Sequence, residues 1–134
     1  MKKYFYLVYY RYAYDGKNST FDLGVFSTKG NAQKKIEMSK KLSGFKKYGN
    51  LFKIIKFAVN FDDDIKKNNI NLYYVWYELD DYYEIFDYFP SYEKAFERIE
   101  FYRKHTRIGK KYASLFQISD VVVDDYNSWS EGFD

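Results

Sequence analysis

The sequence predicts an α+β fold in which two tandem ββαβ units form one compact domain, with helices covering antiparallel or mixed sheets. The first observation is the length of 134 residues, which fits a single domain. The second is that strand-like and helix-like patterns follow one another in the same order in both halves. The third is that blocks of the two halves match when one is shifted along the other. We place the first unit at residues 1–64 and the second at residues 65–134.

The first half opens with side chains that alternate with a period of two, which is typical of strands rich in tyrosine, valine and phenylalanine. Turn residues at Asp15 and Gly16 separate its first two strands. Hydrophobic side chains then recur at helical spacing until Gly44, a typical helix end. The charged residues 62–69 form the linker to the second half. The predicted elements are strands over 3–14, 20–27 and 51–59 and a helix over 29–43.

The second half repeats this order with its own turn and cap signals. Asp80 and Asp81 form the turn between its first two strands, and Pro90 ends the second of them. Ser91 is a suitable N-cap for the helix that follows. In each unit, a helix that crosses the sheet returns the third strand antiparallel to the first. The predicted elements are strands over 72–79, 82–89 and 115–124 and a helix over 91–105.

The matches between the halves fall into three collinear blocks. The helix block matches at an offset of 63 residues, the third-strand block at 64 and the first-strand block at 67, a drift that a shorter first turn and a one-residue loop insertion in the second copy explain. Chance matching of apolar strand residues is the alternative, but the agreement of three blocks with the element order favours duplication. The matched pairs include Ala32 with Ala95, Ile36 with Ile99, Phe52 with Phe116, Val59 with Val123, and Val8-Tyr9-Tyr10 with Val75-Trp76-Tyr77.

Short motifs at the ends of the predicted elements resemble those of a known family. The first copy carries Leu23-Gly24-Val25-Phe26-Ser27 before its helix, and the second ends in Trp129-Ser130-Glu131-Gly132-Phe133. These motifs are similar to a family of short uncharacterised bacterial and phage domains, each a single ββαβ unit that ends in Trp-x-Glu-Gly-Phe. The first copy lacks the terminal motif, and the second has lost the glycine before its helix. The resemblance implies the fold and a bacterial or phage setting without a known activity, and we interpret Trp129 and Phe133 as a hydrophobic latch for the chain end.

Composition excludes several kinds of catalytic site. The chain has no cysteine and a single histidine, His105, so neither a thiolate centre nor a site with two histidines can form within it. His105 lies at the end of the second predicted helix, where a cation complements the helix dipole. Neighbouring aspartates, as in Asp62-Asp63-Asp64, lie in turns or point to opposite faces, and no glycine-rich phosphate loop is present. We expect no enzymatic activity, no metal and no cofactor.

Charge divides unevenly between the two halves. Residues 1–67 hold 15 Lys and Arg against 6 Asp and Glu, a net charge of +9, whereas residues 68–134 hold 7 against 13, a net charge of −6. Two interpretations of this charge asymmetry are open. It either steers a charged partner toward the chain or makes the two units attract each other. A row of lysines that includes Lys34 and Lys41 follows the first helix. Such a row either binds nucleic acid or is a solvated helix face.

The 17 tyrosines are the second feature that points to binding. They cannot all be buried with satisfied hydroxyl groups, so many are expected at the surface. If the helices cover one face of each sheet, the other face presents aromatic side chains, which are common at interface hot spots. The alternative is that these second faces pack on each other. The candidate partner-binding residues are Tyr6, Tyr10, Tyr12, Lys34, Lys41, Tyr73, Trp76 and Tyr77.

Together these features favour a non-enzymatic protein-binding module that occludes its target, such as an immunity protein or a phage-encoded inhibitor of host defence. The alternative is a nucleic-acid-binding accessory protein that uses the first-helix lysines and the strand tyrosines. No run of about 18 apolar residues is present to span a membrane, and Arg11 interrupts the stretch that superficially resembles a secretory signal. We expect a cytoplasmic monomer or homodimer that binds a protein partner and no membrane.

Overall fold

The computed structural model describes residues 1–14, 17–48, 51–79 and 82–133 and confirms the α+β prediction. The strands are β1 (Lys2–Tyr14), β2 (Lys17–Phe26), β3 (Phe52–Asn60), β4 (Asn71–Leu79), β5 (Tyr82–Phe89) and β6 (Gln117–Val122). The helices are α1 (Lys29–Ser39), α2 (Phe45–Tyr48), α3 (Tyr92–His105) and α4 (Arg107–Lys111). The turns predicted at Asp15-Gly16 and at Asp80-Asp81 lie outside the described residues.

Each half contributes one three-stranded antiparallel sheet, and the two sheets have the same strand order. The first sheet runs β2-β1-β3 and the second β5-β4-β6, so the first strand of each unit is central and the third returns antiparallel to it. The irregularities of pairing match as well. β1 shifts register against β2 between Val8 and Tyr9, and β4 shifts against β5 between Val75 and Trp76. These positions are equivalent at the offset at which the first-strand blocks match in sequence, so the chain consists of two ββαβ-like units.

The layers stack in the order helix, sheet, sheet, helix. One hydrophobic cluster lies between each layer and the next. The first cluster lies between α1 and the first sheet around Ala32 and Ile36, and the third lies between α3 and the second sheet around Ala95 and Ile99. Both faces of each sheet are therefore covered, which contradicts the expected exposed aromatic face and supports the alternative that the second faces pack on each other. The buried members of the middle cluster, which joins the sheets, are Phe5, Val25, Val59, Phe61, Leu72 and Val123.

The two sheets contact each other at both edges. At one edge the Asp124 N–H, just after β6, donates to the Val25 carbonyl of β2 at 2.9 Å. At the other edge the rings of Phe57 on β3 and Tyr88 on β5 stack with centroids 4.6 Å apart. Each unit thus places its third strand beside the second strand of the other unit. This reciprocity is what a pseudo-two-fold axis between two like units produces.

A side-chain cap begins each of the two long helices. The Asn31 N–H donates to Thr28 Oγ1 at 3.0 Å at the start of α1. The Lys94 N–H donates to Ser91 Oγ at 3.2 Å at the start of α3, which confirms the N-cap predicted at Ser91. The two caps lie at the helix-block offset, so α1 and α3 start at equivalent positions in their units.

The end of the first helix differs from the prediction. α1 ends at Ser39, whereas the sequence pattern extended it to residue 43. The chain then turns through Gly44, whose φ of 82° lies in the region that glycine adopts readily, into the short helix α2. Neither α2 nor α4 was predicted, because a helix of four or five residues is too short to show a periodic pattern.

Candidate protein-interaction surface

The structure buries several of the tyrosines that the sequence analysis assigned to a binding surface. Tyr10 and Tyr77 are 0% and 6% exposed, in the clusters beneath α1 and α3. They lie on the sheet faces that the helices cover, since alternate residues of a strand point to opposite faces. Their assignment to a partner-binding surface is wrong, because neither ring reaches a partner while the chain is folded. Tyr6, Tyr12 and Tyr73 are half-buried against the same two clusters.

The other candidate residues lie apart from one another. Trp76 is half-buried on β4, where its indole N–H donates to Ser119 Oγ at 2.9 Å. Lys34, on α1, and Lys41, just beyond it, are exposed. The Lys34 ammonium lies 5.3 Å from the ring centroid of Tyr126. The structure therefore does not bring the eight predicted residues together as one site.

The C-terminal segment, residues 124–133, crosses from the second sheet onto the first unit, and we call it the tail. It begins at Asp124, whose φ of 64° turns the chain after β6. The Asp124 carboxylate accepts hydrogen bonds from Ser27 N at 2.8 Å, Ser27 Oγ at 2.6 Å and Asn31 Nδ2 at 3.2 Å. These bonds fasten the start of the tail to the first turn of α1 and so join the two units.

Lys35 holds the middle of the tail from α1. Its side chain is 1% exposed, and its Nζ donates to the carbonyl oxygens of Tyr126 at 2.8 Å and Ser128 at 2.7 Å. Burial lowers the pKa of the Lys35 ammonium, and the charge of Asp125 opposes that shift. The Tyr126 ring lies 5.1 Å from the ring of Phe26 at the end of β2. The lysine row of the first helix therefore includes a buried anchor for the main chain of the tail.

Phe133 ends the tail inside an aromatic cluster of the first unit. Its ring contacts five others at centroid distances of 4.9–6.0 Å: Tyr10, Tyr12, Phe21, Phe45 and Tyr48. Gly44 makes room for it, because a Cβ there would lie 2.6 Å from the Phe133 ring. Trp129 stacks on Phe21 at 4.5 Å but stays 41% exposed. The latch interpretation is confirmed, and Phe133 is its half-buried end.

The second unit presents large hydrophobic side chains to solvent along α3 and α4. Phe96 and Phe101 on α3 are about half exposed, and so are Tyr92 at its start and Ile108 on α4. The ring of His105 lies 4.7 Å from that of Phe101. Phe96 and Phe101 are five residues apart, so they lie about 140° apart around α3, on either side of its buried stripe.

A groove of about 540 Å³ lies between α3 and the chain that leaves β3, and we call it the α3 groove. The half-buried Arg98 stands in its wall, with Cζ 6.0 Å from the ring centroid of Phe89, 5.5 Å from Phe101 and 5.9 Å from Tyr102. Guanidinium groups over ring faces are held by cation–π attraction. The polar side chains that line the groove are Asn60, Asp62, Asp87, Lys94, Glu97 and Arg98.

The aspartates between the two units, Asp62, Asp63 and Asp64, lie at the surface of the described structure. No three of the described His, Asp and Glu side chains come together as a metal site. Asp62 and Asp63 are exposed, and Asp64 pairs with Lys3 at 2.5 Å. The hydrogen bond from Lys3, and then its charge, lower the pKa of Asp64. What this surface offers chemically is contact through rings, cations and main chain.

Asp22 on β2 gives the fold a pH dependence that a single substitution tests. Burial raises the pKa of Asp22 above its ordinary value of 3.8. A raised carboxyl pKa contributes stability that is fully present below pH 3.8 and is lost as pH rises through the folded-state value. We expect Asp22→Asn to raise the free energy of unfolding at pH 7, and this gain to disappear below pH 3.8. Chemical denaturation of both proteins at several pH values measures it, and an equal or lower stability of Asp22→Asn at pH 7 would contradict the assignment.

The α3 groove was not predicted from the sequence, although a signal for it was present. Ala95 and Ile99 define the apolar stripe of the second helix, and Phe96 and Phe101 fall outside that stripe. An aromatic residue on the solvent-facing side of an amphipathic helix is the signal that would have located the α3 groove. The docking of the tail on the first unit had no local signal, because it depends on how the two units are placed.

The described helices are all too short or too polar to cross a bilayer. Comparison of the chain with protein-family models, with curated proteins and with solved structures gave no match. Function is therefore inferred from the geometry of the surface.

Proposed function

We propose that the protein is a non-enzymatic binding module that attaches to a target protein and occludes it, as an immunity protein or a phage-encoded inhibitor of host defence does. The observation that carries the proposal is the exposed ring of Phe101 on α3, which lies beside Arg98 in the wall of the α3 groove. Aromatic side chains at a surface supply large contact area at a low cost in conformational entropy, and they dominate interface hot spots. The neighbouring Arg98 adds a cation of the kind that is enriched at such interfaces.

The experiment is capture from a lysate of the source organism on the immobilised full chain. We expect one stoichiometric protein to be retained by the wild type and lost by the double variant Phe96→Asp/Phe101→Asp. The matched control is Met38→Asp, because Met38 on α1 is equivalent to Phe101 at the helix-block offset and is also exposed. The proposal would be contradicted if the wild type retains no stoichiometric protein. It would also be contradicted if Met38→Asp loses the partner and the double variant keeps it.

Nucleic-acid binding is the second candidate, and one observation favours it. Four lysines of the first unit are exposed around α1 and α2: Lys34, Lys41, Lys46 and Lys47. Tyr10, one of the strand tyrosines that this candidate would use, is buried, so its ring is not available to stack on bases. Retention on phosphocellulose that falls steeply with salt would favour this candidate, and flow-through at low salt would exclude it.

A further inference from the structure

We propose that the α3 groove binds an extended peptide segment of a protein partner, with an aromatic residue seated on Phe89 and main-chain carbonyl groups facing Arg98. The inference rests on the proposed function and names the chemistry of the partner. It follows from the internal repeat, because the equivalent groove of the first unit is occupied by such a segment, the tail of this chain.

Two residues that are central to the two grooves correspond at the helix-block offset. Phe26 at the end of β2 corresponds to Phe89 at the end of β5, and both precede a capped helix. Lys35 on α1 corresponds to Arg98 on α3. The floor of each groove is therefore a phenylalanine ring, and its wall carries a long cationic side chain on the neighbouring helix.

In the first unit these groups hold three consecutive residues of the tail. The Tyr126 ring lies 5.1 Å from the Phe26 ring, and the Lys35 ammonium binds the carbonyl oxygens of Tyr126 and Ser128. Between them lies Asn127, whose N–H donates to Asp125 Oδ1 at 3.0 Å and so shapes the bend of the main chain. The recognition elements are thus one aromatic ring and two main-chain carbonyl groups.

In the second unit the chain that could fill the groove is diverted. After β3, the Phe61 N–H donates to the Met1 carbonyl at 2.8 Å, and the Phe61 ring lies 6.1 Å from that of Phe5. Asp64 then pairs with Lys3. These contacts hold the linker against the first sheet, so it does not run along α3 as the tail runs along α1. Among the described residues Arg98 makes no ion pair, and its guanidinium group lies near the rings of Phe89, Phe101 and Tyr102.

The correspondence has a limit that defines the ligand. In the first unit Tyr10 lies 5.7 Å from Phe133 of the tail, whereas its counterpart Tyr77 lies 6.2 Å from Tyr112, which follows α4. The second unit therefore supplies its own ring at this position, and only the end of the groove near Phe89 and Arg98 is open. The groove also holds both acids and bases, so binding depends on the ring and the carbonyl groups more than on net charge.

The test uses an acetylated and amidated peptide of residues 124–130, DDYNSWS, titrated into the full-length protein by fluorescence anisotropy. The tethered tail excludes the peptide from the first unit because its effective concentration is in the millimolar range. We expect saturable binding that changes little with salt. Arg98→Ala in the protein and Tyr126→Ala in the peptide should each weaken it by about tenfold or more.

The control protein is Arg103→Ala, which removes an exposed arginine of the same helix and should bind the peptide as the wild type does. Phe101→Ala gives a second groove variant, and thermal unfolding shows that each variant is folded. Absence of saturable binding, equal binding by wild type and Arg98→Ala, or steep salt dependence would overturn the inference. If the peptide fails while Phe96→Asp/Phe101→Asp still abolishes partner capture, the inference fails and the proposed function stands.

Discussion

Replacement of Phe133 by alanine is expected to lower the free energy of unfolding by about 3 kcal/mol, although the residue lies near the end of the chain. Its ring is surrounded by five aromatic rings of the first unit, and Gly44 leaves the space that it fills. Truncation to alanine leaves a cavity in that cluster and removes the favourable edge-to-face contacts of the ring. The loss of stability is therefore larger than the position of Phe133 near the chain end suggests, because truncation of its ring exposes the first hydrophobic cluster to solvent.

The matched control is Trp129→Ala, which removes a larger side chain from the same tail. Trp129 is 41% exposed and stacks on Phe21 alone among the described rings, so we expect a loss of about 1 kcal/mol. Urea unfolding of the wild type and both variants measures the two effects from the shift in midpoint at constant slope. A loss at Trp129→Ala that equals or exceeds the loss at Phe133→Ala would show that the tail is not held by its last ring.

Replacement of Asp124 by alanine is expected to lower the free energy of unfolding by about 3 kcal/mol. The carboxylate accepts from the N–H and the hydroxyl of Ser27, which is 6% exposed, so both donors would be left buried without this partner. Asp124 also has a positive φ, which alanine adopts less readily than aspartate or asparagine. Both effects act at the point where the tail leaves the second sheet.

Asp124→Asn separates these effects, because asparagine keeps an acceptor oxygen and tolerates the same backbone region. We expect it to lose about 1 kcal/mol, and Asp125→Ala, whose carboxylate caps the local turn at Asn127, to lose a similar amount. Thermal and urea unfolding of the three variants provide the comparison. Equal losses of unfolding free energy for Asp124→Ala and Asp125→Ala would show that Asp124 is not the link between the units.

Much of this architecture could be predicted from residue patterns. The alternation in residues 3–14 and 72–79 identified both central strands, and the offset that matched Val8 with Val75 also relates the two register shifts. The repeat was visible because strand and helix periods are local properties of the chain. The N-cap at Ser91 could also be predicted from local sequence, since a cap residue accepts a hydrogen bond from the N–H only three positions ahead.

What the patterns could not provide was the environment of each face. Alternation places Tyr10 and Phe5 on opposite faces of β1, but it does not say that a helix covers one and a second sheet the other. The surface expected on Tyr10 and Tyr77 was wrong for this reason. Lys35 illustrates the same limit, because a lysine in a polar row is buried only once the tail of the other unit crosses over it.

The most direct test of the account is hydrogen exchange measured on the full chain, alone and in complex with the protein that it captures. The central claim is that the second unit makes the contact through the face of α3. We predict added protection over residues 89–105, with little change over residues 29–48, where the equivalent face is already occupied by the tail. Protection confined to residues 29–48 would contradict the claim, as would a complex that forms with no change on α3.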